Sequence, residues 1–186
     1  MPILGVVASS ISGHLITGNF DLISQQFGNG SVSSITFSSI PQTYKSLQLR
    51  VAVLNNSGGS TGTGLQFNGV TTGYYAHGLY GQGTSLIPTS IGGGTSFIPG
   101  SPVGIGGLTT TYPAFAIIDI IDYTSTAKYK TTKSIMGLNQ NTTTTSEIDI
   151  FSGLYPSTTA ITSLTYYSTG SNVFSSTSSF ALYGVS

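Results

Sequence analysis

Hydrophobic and polar residues alternate most cleanly in SLQLRVAVL, where Leu47, Leu49, Val51 and Val53 share one face and Gln48, Arg50 and Ala52 the other. A period of two is that of a strand with one buried face. A second strand, SVSSITF, sets Ile35 and Phe37 inward, and Pro41 after Ile40 marks its end because Pro has no N–H for a sheet ladder. These two segments are expected to pair antiparallel. Further short strands are predicted around Gly64 to Phe67, Gly73 to Tyr80, Ser85 to Ile91, Ala114 to Tyr123, Lys128 to Met136, Glu147 to Phe151, Ile161 to Tyr167 and Phe180 to Val185. PAFAIIDIIDY is apolar on both faces over much of its length, which predicts a central strand, and Asp122 with the Thr124–Ser125–Thr126 run opens the turn into KYKTTKSIMG. Short strands separated by turn signals, about ten in all, predict an all-β fold, an antiparallel β-sandwich of jelly-roll type.

Two regions stand outside this pattern. Residues 1–27 form a predicted N-terminal arm, whose Ile3, Leu4, Val6, Val7, Ile11, Leu15 and Ile16 follow neither a helical nor a strand period. Residues 28–186 form the single sandwich domain. Within it, residues 81–111 are thick with Gly, Ser, Thr and Pro, including Gly92–Gly93–Gly94 and Gly104–Ile105–Gly106–Gly107, and read as long surface loops.

Charge changes this picture most. Five basic and five acidic residues are only 5% of the 186, with a formal net charge of zero, against roughly 25% charged residues in ordinary soluble domains. A freely diffusing protein normally keeps net charge away from zero to stay in solution, so the composition points to a chain held in an assembly, as a homodimer or homotrimer. Nucleic acid is disfavoured as a partner, since phosphate binding needs clustered cations and the only cluster is Lys128, Lys130 and Lys133. There is no cysteine, which rules out disulfides and thiolate metal sites. The opening segment has no basic n-region and is broken by Gly5, Ser9, Ser10 and Ser12, so no secretory signal is expected. No run approaches the roughly 20 apolar residues of a spanning helix, and no membrane contact is expected.

Catalytic chemistry is sparse. His14 and His77 have no second ligand at metal spacing, so no metal is expected. The many serines include no G-x-S-x-G elbow, and the glycine runs fit no nucleotide fingerprint, so neither an enzyme nor a cofactor is expected. Glu147 and Asp149, two apart, share one strand face and could flank a sugar as a hydrolase pair; the simpler expectation puts them on the solvated face with Ile148 and Ile150 inward. Asp119 shares a face with Phe115, Ile117 and Ile121, which predicts a buried carboxylate partnered by Lys128 or Lys130. The cluster GYYAHGLYG, with Tyr74, Tyr75, His77 and Tyr80, reads as a carbohydrate platform, a protein hot spot or plain cross-strand packing.

Four segments, the start MPILGVVASSISGHL, then SITFSSIPQTYKSLQLRV, AFAIIDIIDYTSTAKYKTTKSIMG and the ending SFALYGV, resemble a family of small virion proteins of cyanobacterial and other aquatic tailed phages. The likeness spans Met1 to Val185 and is weakest from Gly58 to Pro113. It implies a place in a phage particle and supplies no catalytic motif. Two functions follow as expectations. The first is a capsid decoration or cement protein that binds itself and the major capsid protein or another virion protein, anchored by the apolar arm. The second is a tail-fibre adhesin that binds host surface polysaccharide through Tyr74 to Tyr80.

Overall fold

The computed structural model describes residues 20–56, 62–100, 109–142, 146–170 and 172–186. Twelve strands and no helix occur among them: β1 (Phe20–Phe27), β2 (Ser34–Phe37), β3 (Ser46–Val53), β4 (Thr63–Phe67), β5 (Tyr74–Gln82), β6 (Ser85–Thr95), β7 (Ile98–Pro99), β8 (Ala114–Ile121), β9 (Lys130–Leu138), β10 (Glu147–Tyr155), β11 (Leu164–Ser168) and β12 (Ser179–Val185). All pairings are antiparallel, and they build an eight-stranded sheet in the order β1-β12-β3-β8-β9-β10-β5-β6 and a four-stranded sheet in the order β2-β11-β4-β7.

The alternation in β3 is realised as predicted: Leu47, Leu49, Val51 and Val53 are buried, and so are Ile35 and Phe37 of β2. These two strands do not pair, however. β2 joins β11 in the small sheet, while β3 lies between β12 and β8 in the large one. The inward residues of both sheets merge in one core. Phe67 of β4 sits 5.6 Å from the ring of Tyr155 of β10, and Tyr166 of β11 sits 5.5 Å from Phe180 of β12. The result is sandwich-like, with neither sheet closed into a barrel.

Glycine sets how closely the sheets approach. A Cβ on Gly153 of β10 would lie 2.6 Å from Ile98 of β7 and 2.4 Å from the Thr132 hydroxyl, so the small sheet rests where a side chain is missing. The turn after β4 uses Asn68 (φ 52°) and Gly69 (φ 70°), left-handed positions that suit these two residues. Asn68 then accepts from the Thr162 and Ser163 amides and donates to Ala160, tying the chain before β11 to the end of β4.

Two boundaries differ from the sequence reading. Residues 20–27, assigned to the arm, form β1 and pair with β12; Phe20 and Leu22 face outward, and a bulge between Leu22 and Ser24 returns Phe27 to the same side. The arm residues Ile3 to Ile16 and His14 lie outside the described residues. The stretch 81–111 has less loop than expected: the strand predicted for Ser85 to Ile91 is β6 and runs on to Thr95, and β7 follows, while 101–108 lie outside the described residues. β8 is central as predicted, the fourth strand of the large sheet.

Candidate functional site

The large sheet has a core face and an outer face, and the outer one is unusual. In β10, Glu147 and Asp149 are 6% and 0% exposed, whereas Ile148 and Ile150 are 57% and 52% exposed. This reverses the expected orientation. The period of two holds, but the carboxylates face the core side and the isoleucines face outward. Glu147 receives a hydrogen bond from Gln82 at 3.3 Å. With both carboxylates buried at the inner side of a sheet, a sugar has no access to the pair, and the hydrolase reading loses its geometry.

The same pattern continues across neighbouring strands. Ile117 of β8 stands opposite Ile135 of β9, Ile135 opposite Ile150 of β10, and Ile150 opposite Leu79 of β5, so one row of four exposed aliphatic side chains crosses four strands. The adjacent row holds Phe115, Gly137, Ile148, Gly81 and Leu86. A Cβ on Gly137 would come 2.4 Å from the Phe115 ring, so that ring lies down over the glycine and fills its place. At the far side, β1 adds exposed Phe20, Leu22 and Phe27. Among the described residues, every exposed large hydrophobic side chain except Tyr112 and Tyr129 stands on this one face. Such a concentration is out of the ordinary, since singly scattered apolar residues are normal but contiguous patches are not.

Polar groups on the face form a short network. Arg50 lies over the rings of Phe20 and Tyr183, 4.9 and 4.6 Å from their centroids, and donates through Nε to Gln48 at 2.6 Å. Gln48 in turn donates to Asp119 Oδ1 at 2.7 Å. Asp119 is thus half-buried on the outer face, not buried in the core, and its partner is Gln48. Lys128 instead pairs with Asp122 at 3.5 Å. Lys130 turns inward, and its ammonium caps the carbonyls of Ser125, Lys128 and Ser157. Burial holds that ammonium below the usual lysine range, with Asp122 acting in the opposite sense. Lys133 points outward beside Asp119, with which it is in register. The three lysines therefore face three different ways and form no cationic cluster.

The tyrosine cluster is divided by the same period of two. Tyr74 is fully buried, its hydroxyl accepting from the Phe67 amide at 2.8 Å and donating to the Val70 carbonyl at 2.9 Å. Tyr74 also stacks on Tyr155 at 5.2 Å. Tyr80 is half-buried on the inner side. Only Tyr75 and His77 face outward, where they border a shallow depression over Gly153 with Thr131, Ser152 and Leu154. Sequence reasoning treated as one cluster what a strand must split. Apolar character alone places Phe115, Ile117, Ile148 and Ile150 in the core, whereas the structure turns all four outward. Among the described residues, no three His, Asp or Glu side chains come together as metal ligands.

No family model matches the chain, no curated protein matches its sequence, and no solved structure matches its fold at a significant level.

Proposed function

We propose that this chain is a non-enzymatic structural protein of a phage particle, a capsid decoration or cement protein that binds the major capsid protein and further copies of itself. The observation that carries this reading is the apolar outer face of the eight-stranded sheet on a chain with almost no charge. A surface of that kind is costly when wet and favourable when covered, at about 25 cal/mol per Å² of apolar area removed from water. The resemblance to phage virion proteins supplies the particle as the place where it is covered.

The strand order supports a jelly roll as the underlying architecture. Setting aside β5, β6, β9 and β10, the remaining strands run β1-β12-β3-β8 in one sheet and β2-β11-β4-β7 in the other. The antiparallel pairs β1·β12, β2·β11, β3·β8 and β4·β7 are those of one long hairpin whose two arms were wound together into a sandwich. β5, β6, β9 and β10 then read as insertions that widen the first sheet from four strands to eight. Jelly rolls serve in capsids, lectins and other proteins alike, so the surface and not the architecture decides between functions.

Counting subunits in purified particles tests the proposal. A copy number near that of the major capsid protein is expected; a few copies per particle would instead place the chain in the tail. In that case the adhesin reading gains ground. It now rests on Tyr75 and His77 beside Thr131 and Ser152, and its test is whether Tyr75→Ala, which leaves the buried Tyr74 intact, removes binding to host polysaccharide.

A further inference from the structure

We infer that two copies of this chain pack through the outer faces of their eight-stranded sheets, about a twofold axis that runs along the strands between β8 and β9. This deepens the self-association in the proposed function but rests on the sheet face alone, so it can fail or hold in solution without any particle present.

The strand order fixes the axis. Four strands lie on each side of the line between β8 and β9. Rotation about that line lays β9-β10-β5-β6 of one copy on β8-β3-β12-β1 of the other, and nothing on either face is left uncovered. Eight strands spaced about 4.8 Å, each contributing roughly seven residues at about 3.3 Å, span about 900 Å². That is close to the roughly 800 Å² per partner of a standard stable interface. No other placement of a twofold axis along the strands covers the whole sheet.

Charge fits the same axis. Asp119 on β8 and Lys133 on β9 are in register on opposite sides of the line. Rotation therefore sets each Lys133 over the other copy's Asp119. No ion pair among the described residues uses Lys133, and Asp119 is held by Gln48 through only one oxygen. Beside this pair, Ile117 meets Ile135, and in the next row Ile148 falls over Ala52, large over small. Arg50, the face's other cation, falls over Ile150 and keeps Gln48, Phe20 and Tyr183 of its own chain as partners. The cation and anion that straddle the midline are each other's complement, which is what a twofold contact requires.

Pairing through sheet edges is the competing route, but the small sheet ends on the short strands β2 and β7, and both edges of the large sheet are interrupted. β1 carries a bulge between Leu22 and Ser24, and β6 contains Pro88, which has no N–H to offer. The face remains.

The test is a mixing experiment read by light scattering on size-exclusion peaks. Wild type should run at twice the 19.2 kDa chain mass. Lys133→Asp alone sets Asp against Asp and Asp119→Lys alone sets Lys against Lys, so each should run as a monomer. An equimolar mixture of the two should restore the dimer, because both contacts become opposite-charge pairs; a pair confined to one chain gives no such rescue. Circular dichroism checks that each variant is folded. If Asp119→Lys loses its fold with the Gln48 contact, Ile135→Lys replaces it, and there monomer supports the axis while an unaltered dimer overturns it. A monomeric or trimeric wild type, single charge variants that dimerise as wild type does, or folded variants that fail to pair on mixing would each overturn the inference.

Discussion

At the scale of single residues, Lys130 and Tyr74 are two buried side chains that each hold several backbone groups. Lys130 is fully buried and satisfies three carbonyls that close the turn between β8 and β9 and the segment after β10. Lys130→Met keeps the stem and removes the donors. It should destabilise the fold by about 3 kcal/mol, since buried groups left without partners cost roughly 1–3 kcal/mol each; urea unfolding measures this. Tyr74 gives a pH signature. Burial pushes its hydroxyl up to about 12, while its bond to the Phe67 amide acts in the opposite sense. The folded state thus holds a proton that the unfolded chain loses near pH 10. This contribution is complete below about pH 10 and disappears as pH rises through about 12. Tyr74→Phe should lower stability by roughly 1–3 kcal/mol at neutral pH through the lost hydrogen bonds. It should also flatten the fall in stability across that alkaline window, which denaturant melts at several pH values would show. A fall as steep as wild type would mean the other buried tyrosines, Tyr166 foremost, account for it.

At the scale of elements, β10 shows why a strand needs a glycine where two sheets meet. Ile98 of β7 rests on Gly153, and Thr132 stands on its other side. Gly153→Val should force β7 away from the large sheet and cost roughly 1–3 kcal/mol, the usual penalty of overpacking. Loss of thermal stability together with faster proteolysis near residues 95–100 would check it. By contrast, Ile148 and Ile150 on the same strand face outward. Replacing both with Lys should leave unfolding of the isolated fold within about 0.5 kcal/mol, as for ordinary surface positions, while raising solubility. A large destabilisation at dilutions where both proteins are monomeric would mean that these side chains are core after all.

For the whole molecule, assembly should depend on the outer face and hardly on salt. With ten charged residues in 186, most of any association energy comes from apolar area, which screening does not weaken. Raising ionic strength should therefore leave self-association nearly constant, and sulfate should strengthen it by being excluded from protein surface. The Lys133–Asp119 pairs, covered by that area, are screened little, so dissociation on adding sodium chloride would mean that association rests on exposed charges instead.

Sequence alone determined what depends on local spacing: the all-β class, most strand positions, the two faces of β3, the central place of β8 and the turn opened by Asp122. A two-residue period is written into each strand, so the division into faces was legible at Leu47 to Val53 and at Glu147 to Ile150. Which face meets the core is set by which sheet the strand joins and by what lies across from it. Polarity predicted that choice correctly for β3 and wrongly for β10, because in β10 the apolar residues serve an outside surface. For the same reason β2 and β3 are neighbours in sequence yet lie in different sheets. Tyr74 to Tyr80 looked like one cluster although the pleat turns Tyr74 and Tyr75 to opposite sides. Only the tertiary structure decided these points, since the partner that covers a face is chosen by long-range pairing, and the rows of Ile117, Ile135, Ile150 and Leu79 come from four separate stretches of chain.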